Sequence, residues 1–288
     1  MKIVLSRKGF DSSPKYGRIP SPILPDGTLL SLPVPANEGR SLTKYRDLQD
    51  VHGHSVFKLA DDLTKGRITP ATRTHFDPDL RRCMLRRDPG WRPLFGPHPN
   101  SHSLMKKNDV KVGDLILFFG WFREVELDNG TYRFVRKAPN LHVIFGWLQI
   151  DEMRPAGLEN RKVAPKWMQY FCHFQGDWAN NYVYVSRKQL SIPRLSKKLP
   201  GGGAFETYSD VLRLTAPDCS RSIWELPTSI YPEHGKELMT YHRDEKLWSR
   251  TATHTRLQTH AKWQESVLHA DECPEAITWA RRILTHAA

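Results

Sequence analysis

His75-Phe-Asp77-Pro-Asp79 sets an imidazole and a carboxylate two residues apart, and on an extended segment such a pair projects to one side. An HxD pair can hold Fe(II) when a distant third ligand completes a facial triad. His142, His173 and His242 are the candidates for that third position, and oxidation of a nucleobase would be the chemistry. His75 and Asp77 are catalytic candidates on this account. Asp77 and Asp79 around Pro78 also have the composition of a turn or a helix cap.

A second group follows the first apolar run. Lys2-Ile-Val-Leu-Ser6 reads as a short buried strand, and Arg7, Lys8 and Asp11 come directly after it. A strand end of this kind projects charge into a cleft: Arg7 and Lys8 suit a phosphate, and Asp11 suits a base or a metal ligand. An ion-paired strand exit would use the same residues. In the last third, Arg221 within Ser220-Arg-Ser-Ile-Trp224 can hold a phosphate or carboxylate, and His242 after Tyr241 can move a proton near neutral pH. Buried organising roles compete for both.

Aromatic and basic residues interleave at Phe118, Phe119, Trp121 and Arg123. Alternation on a strand sends half of them inward, leaving Trp121 and Arg123 to stack on and neutralise a base. Gln149 can read a base edge through its amide, or satisfy buried backbone groups instead.

These groups need elements to carry them. Residues 114–123, 131–136 and 141–150 are rich in Phe, Trp, Ile and Val, with Asp128-Asn-Gly130 as the turn between the first two. That is a β-meander. Residues 182–185 form another strand, Gly201-Gly-Gly203 begins a loop, and apolar spacing predicts a helix over 54–63. Pro274 opens a C-terminal helix that presents Ala276, Trp279, Ala280, Ile283 and Leu284 on one face. The reading is an α+β chain with a mixed or antiparallel central sheet, peripheral helices and the C-terminal helix, as a single domain over residues 1–288. A small PUA-like or ASCH-like barrel is one way such strand pairs close.

The 43 Lys and Arg against 31 Asp and Glu give a net charge of +12, a surplus that attracts polyanions and makes DNA or a nucleotide the first partner to consider. No run approaches the length of a membrane span or a signal-peptide core, so a cytoplasmic location is expected. Cys83, Cys172, Cys219 and Cys273 form no CxxC pair, which points to reduced thiols and away from a zinc knuckle. No P-loop, no dinucleotide-binding glycine pattern after a strand, no GxSxG elbow and no deaminase HxE…PCxxC pairing occurs. The residues name no cofactor and no resident metal.

Several blocks occur in order along the chain: MKIVLSRKGFDSS, GRIPSPILPDGTLLSLPVP, THFDPDL, VGDLILFFGWFR, HVIFGWLQI, NNYVYVS, GGGAFETYSDVLRLT, SRSIWELP, YHRDEKLW and WQESVL. On them the sequence resembles the nucleotide modification associated domain 3 family. The resemblance implies a setting in bacterial or phage DNA modification or defence, alongside other modification enzymes. It does not bring a settled reaction. Arg7, Lys8 and Asp11 lie in the block that opens the family pattern, and Gln264 and Glu265 lie in its last. The chain departs from the pattern where HAKWQESV replaces an Arg-Gly-Gln-Glu-Phe type sequence, and where Phe95-Gly-Pro-His98 lacks a Gln- and Ala-rich stretch. The expectation is a protein that modifies a base or nucleotide. The alternatives are a non-catalytic reader with Trp121, Arg123 and Gln149 as its pocket, or an Fe(II) oxygenase on His75 and Asp77.

Overall fold

Ile3, Val4 and Leu5 are wholly buried, as a strand flanked by neighbours and covered on both faces must be. In the computed structural model, which describes residues 1–10, 18–36, 41–233, 238–259 and 264–287, that run is β1 (Ile3–Arg7). The elements that follow it are β2 (Ser21–Ile23), β3 (Val34–Pro35), α1 (Val56–Thr64), β4 (Thr74–His75), β5 (Leu94–Phe95), α2 (Pro99–Lys107), β6 (Leu115–Asp128) and β7 (Thr131–Phe134). Then come β8 (Leu141–Pro155), α3 (Leu158–Val163), β9 (Tyr182–Ser186), β10 (Gly202–Ala204), β11 (Ile223–Pro227), β12 (Trp248–Arg250), β13 (His254–Gln258), β14 (Glu265–Leu268) and α4 (Pro274–Leu284).

Among the described residues, nine strands make one mixed sheet. Its main path runs β14-β1-β6-β8-β9-β5, with β10 added to β8 and with β2 and β7 added to β6. β1 and β2 run parallel to β6, and the other pairings are antiparallel. The sheet stays open, so among the described residues no barrel of the PUA type forms. β11, β13 and β12 form a second sheet, and β3 pairs with β4.

β6 and β8 show why the centre is legible from composition. Leu115 to Gly120 and Leu141 to Ile150 are buried without a break, the pattern of strands covered on both faces. Beyond Phe122, β6 leaves the core and pairs with β7 through a hairpin in which Asn129 and Gly130 both take positive φ. Gly202 and Gly203, expected as loop, form β10 on β8. A Cβ on Gly203 would lie 2.9 Å from the Trp147 ring, so the missing side chain is what lets the two strands meet. α1 and α4 match the spacing of their apolar residues, burying Val56, Leu59, Ala60 and Leu63 on one and Ala276, Ala280, Ile283 and Leu284 on the other. α4 packs against β11.

Candidate active site

β1 sits between β6, which runs parallel to it, and β14, which runs antiparallel. Antiparallel pairing sets the outgoing end of β1 against the incoming end of β14, with Ser6 opposite Glu265. The Arg7 amide donates to the Gln264 carbonyl at 2.6 Å and the Lys8 amide to that of Phe119 at 2.8 Å. Lys8 is thereby fixed at the mouth of the sheet. Asp77 reaches the same point from the segment after β4, held where its Oδ1 accepts from the Gly96 amide at 2.7 Å.

Lys8 and the two carboxylates form one buried cluster. Lys8 Nζ lies 3.3 Å from Glu265 Oε1 and 3.7 Å from Asp77 Oδ2, and the two carboxyl side chains are almost fully enclosed. The ammonium also stands 4.6 Å from the centre of the Phe95 ring, an additional cation–π attraction. Burial alone would lower the Lys8 pKa, yet Glu265 and Asp77 together hold it above its ordinary value. Burial raises that of Asp77, against the pull of Lys8 and His75. The directions fit one arrangement: a single ammonium faces two carboxylates, and burial favours a proton on Asp77. Glu265 is the better solvated by protein, since Ser6 Oγ donates to its Oε1 at 3.1 Å and Ser101 Oγ donates to its Oε2.

Imidazoles stand beside this cluster. His75 Nε2 is 3.8 Å from Asp77 Oδ2 and 3.9 Å from Cys172 Sγ. A 3-10 turn over Cys172–Phe174 brings in His173, whose ring centre is 5.5 Å from that of His75. Burial drops the His173 pKa to about 4, so the ring is neutral at physiological pH. Burial likewise pushes the Cys172 thiol well up.

Arg7, Lys8, His75, Asp77, His173 and Trp178 all line one cleft of about 420 Å³, within the roughly 300–1,000 Å³ of small-ligand sites. A second recess of about 370 Å³ contains Glu265 and Tyr241 and shares His98 and Gln264 with the first. A buried ammonium, two buried carboxylates and two imidazoles around such a space can transfer protons and bind an anionic ligand.

Arg7, Lys8, His75, Asp77, Gln264 and Glu265 are thus brought together, while Asp11 lies outside the described residues. His173 is the member of the His142, His173 and His242 set that reaches His75. His142 is buried beneath Trp224, whose Nε1 donates to its Nδ1 at 2.9 Å. His242 is buried elsewhere: its Nδ1 donates to the Thr240 carbonyl at 2.9 Å, and its own carbonyl accepts from Trp248 Nε1.

The reader pocket of Trp121, Arg123 and Gln149 does not converge. In the β6–β8 ladder, Gln149 pairs with Leu115 at one end and Trp121 with His142 toward the other. Gln149 is a buried clip, its amide bonding the Gly113 carbonyl and both backbone groups of Ser191. Arg123 closes the hairpin by donating to the Val135 and Arg136 carbonyls. Trp121 instead meets Arg221, whose guanidinium stacks 4.1 Å from the ring centre in an open recess of about 500 Å³. Asp79, the other carboxylate of the HFDPD segment, is bound bidentately by Arg87 at 2.5 and 2.7 Å and also accepts from Tyr170, away from the cleft.

The residues that sequence reasoning missed are Ser101, Phe95, Gly96, Trp178 and Cys172. Phe95 and Gly96 stand in a stretch noticed only for what it lacks. Cys172 is adjacent to His173, a pairing that a search for CxxC spacing passes over.

Residues 2–269 match the family described as nucleotide modification associated domain 3. No curated protein and no solved structure shows significant similarity to the chain.

Proposed function

Because the chain belongs to the nucleotide modification associated domain 3 family, and so to a nucleotide-modification setting, we propose that it is an enzyme acting on a base or nucleotide in the cleft at the end of β1. The observation that carries this reading is the buried cluster in which Lys8 and Asp77 line the cleft and Glu265 lines the adjoining recess. Enclosing three charges is costly, and such groups concentrate at sites of chemistry.

In this reading Asp77 is the proton acceptor, since burial raises its pKa toward the working range. Lys8 keeps its charge and offsets negative charge that develops on the substrate. Arg7 on the cleft wall faces a phosphate, and the Trp178 and His173 rings, 5.1 Å apart, supply an aromatic wall for a base. Arg221 stacked on Trp121 provides a separate recess where a polynucleotide can stack and neutralise a phosphate. The setting is a bacterial or phage DNA-modification or defence system, with DNA or a nucleotide as the partner.

The experiment is to express the chain with its neighbouring genes and a DNA substrate, digest the DNA to nucleosides, and compare masses. The expected result is a nucleoside mass that requires the chain and is lost with Asp77→Asn. Unchanged masses, with binding to already modified DNA retained, would make the protein a reader instead.

A further inference from the structure

We propose that His75, Cys172 and His173 form a binding site for a borderline divalent transition metal ion of the zinc class, with one coordination position open to the cleft. One ligand atom from each of the three lies within 4.8 Å of the others, and His75 Nε2 and Cys172 Sγ are 3.9 Å apart. In a tetrahedral zinc centre, bonds of about 2.0–2.1 Å to nitrogen and about 2.3 Å to sulfur place the donors roughly 3.3–3.6 Å apart. Small side-chain movements would close the three atoms onto one ion.

The surroundings of His173 fit a ligand. Asn181 Nδ2 donates to the His173 and Gly176 carbonyls, which fixes the amide so that Oδ1 is its free acceptor. Oδ1 faces His173 Nδ1 at 2.8 Å, so Nδ1 carries the proton and Nε2, packed against the Gly96 backbone, is the ring nitrogen left for a metal. An outer hydrogen bond that sets the tautomer is the usual support of a metal-bound imidazole.

The donor set selects the kind of ion. Two imidazoles and a thiolate suit zinc or a neighbouring transition metal and do not suit magnesium or calcium, which take oxygen. Cys172 would lose its proton on binding, and a thiolate ligand does so outright. His75 and His173 line the cleft, whereas Cys172 is buried behind them. Three protein ligands with an open fourth position facing a cleft is the arrangement of catalytic rather than structural zinc.

Asp77 lies beside the set and is not one of the three mutually close donors: its Oδ1 is taken by the Gly96 amide, and its Oδ2 lies 3.7 Å from Lys8 Nζ and 3.8 Å from His75 Nε2. The inference does not rest on the proposed reaction, because metal binding is read without substrate.

The full-length protein, stripped of metal with a chelator, is titrated with Co²⁺ alone and then with Zn²⁺. The expected result is a thiolate-to-cobalt charge-transfer band in the near ultraviolet that saturates at one equivalent and is displaced by Zn²⁺. Cys172→Ser, nearly isosteric, should keep the circular dichroism spectrum and lose the band. His75→Ala, at a half-exposed position, should keep the fold and weaken cobalt binding beyond the ~10- to 100-fold typical of losing an outer hydrogen bond. Absence of the band at one equivalent would overturn the site. So would a band that survives Cys172→Ser, since it would arise from another cysteine. Failure of the nucleoside assay with this titration intact would strike the proposed reaction alone.

Discussion

His173 occupies the space that a side chain at residue 96 would need: a Cβ on Gly96 would lie 2.1 Å from His173 Cδ2 and Nε2. The two residues are 77 positions apart, yet the identity of one fixes the position of the other. Gly96→Ala therefore moves the imidazole or the β5 end that carries the Asp77 contact. The expected cost is about 1–3 kcal/mol, as for overpacking elsewhere, with weaker cobalt binding. Urea denaturation beside a cobalt titration checks both, and an unchanged affinity would mean that His173 is not a ligand.

Removing Lys8 strands two buried carboxylates. Lys8→Met should cost about 3–5 kcal/mol, the range for breaking a buried ion pair. Adding Glu265→Gln should recover part of that loss, so the double variant is more stable than the sum of the two single changes. A loss below about 1 kcal/mol, typical of exposed pairs, would show that solvent rather than Asp77 and Glu265 balances the ammonium.

Gln149 separates structure from recognition. Its amide satisfies three backbone groups, so Gln149→Leu should lower stability by about 1–3 kcal/mol per group left unsatisfied. Binding to DNA, measured on the fraction that remains folded, should not change. Lost discrimination between modified and plain DNA at full stability would restore Gln149 as a base reader.

Much of the fold was legible. The apolar runs of β6 and β8, the hairpin at Asn129 and Gly130, and the faces of α1 and α4 are local patterns, and burial follows them. β14 gave no such signal, because Glu265 and Ser266 are polar residues that pairing with β1 buries. The site was half legible for a related reason. Lys8, His75 and Asp77 stand out by type and by position after strands. Cys172 and Ser101 join them only through the fold, and Gln149 and Arg123 look like ligand groups although each is engaged by nearby backbone groups.

His142 makes the protein acid-sensitive. An imidazole in the unfolded chain titrates near 6.5, whereas burial, and then Arg221 and Arg7, hold the folded value well below that. The stability tied to the neutral ring is thus fully present above about pH 6.5. It is lost as the pH falls from there toward the folded value, because the unfolded chain takes up a proton that the folded ring refuses. His142→Asn keeps an acceptor for Trp224 without titrating, and the urea midpoints of that variant at pH 7 and pH 5 should differ less than those of the parent.

Arg221 tests the open recess. Arg221→Ala should weaken DNA binding across sequences and reduce the slope of log affinity against log salt by about 1, the mark of one lost phosphate contact. Fluorescence anisotropy at several salt concentrations gives the slope. An unchanged slope would leave the Trp121 stack as packing alone.

The hydrogen bond between Ser6 and Glu265 spans 259 residues. During synthesis on the ribosome, Ser6 and Lys8 emerge long before their partners on β14 exist, and a growing chain holds the ammonium with no Glu265 to face it. A product that stops short of residue 265 carries most of the sheet and lacks one wall of the charge cluster. Under the proposed function, chains that stop short of residue 265 are expected to be inert toward nucleotides, because Glu265 joins the cluster only when β14 pairs with β1.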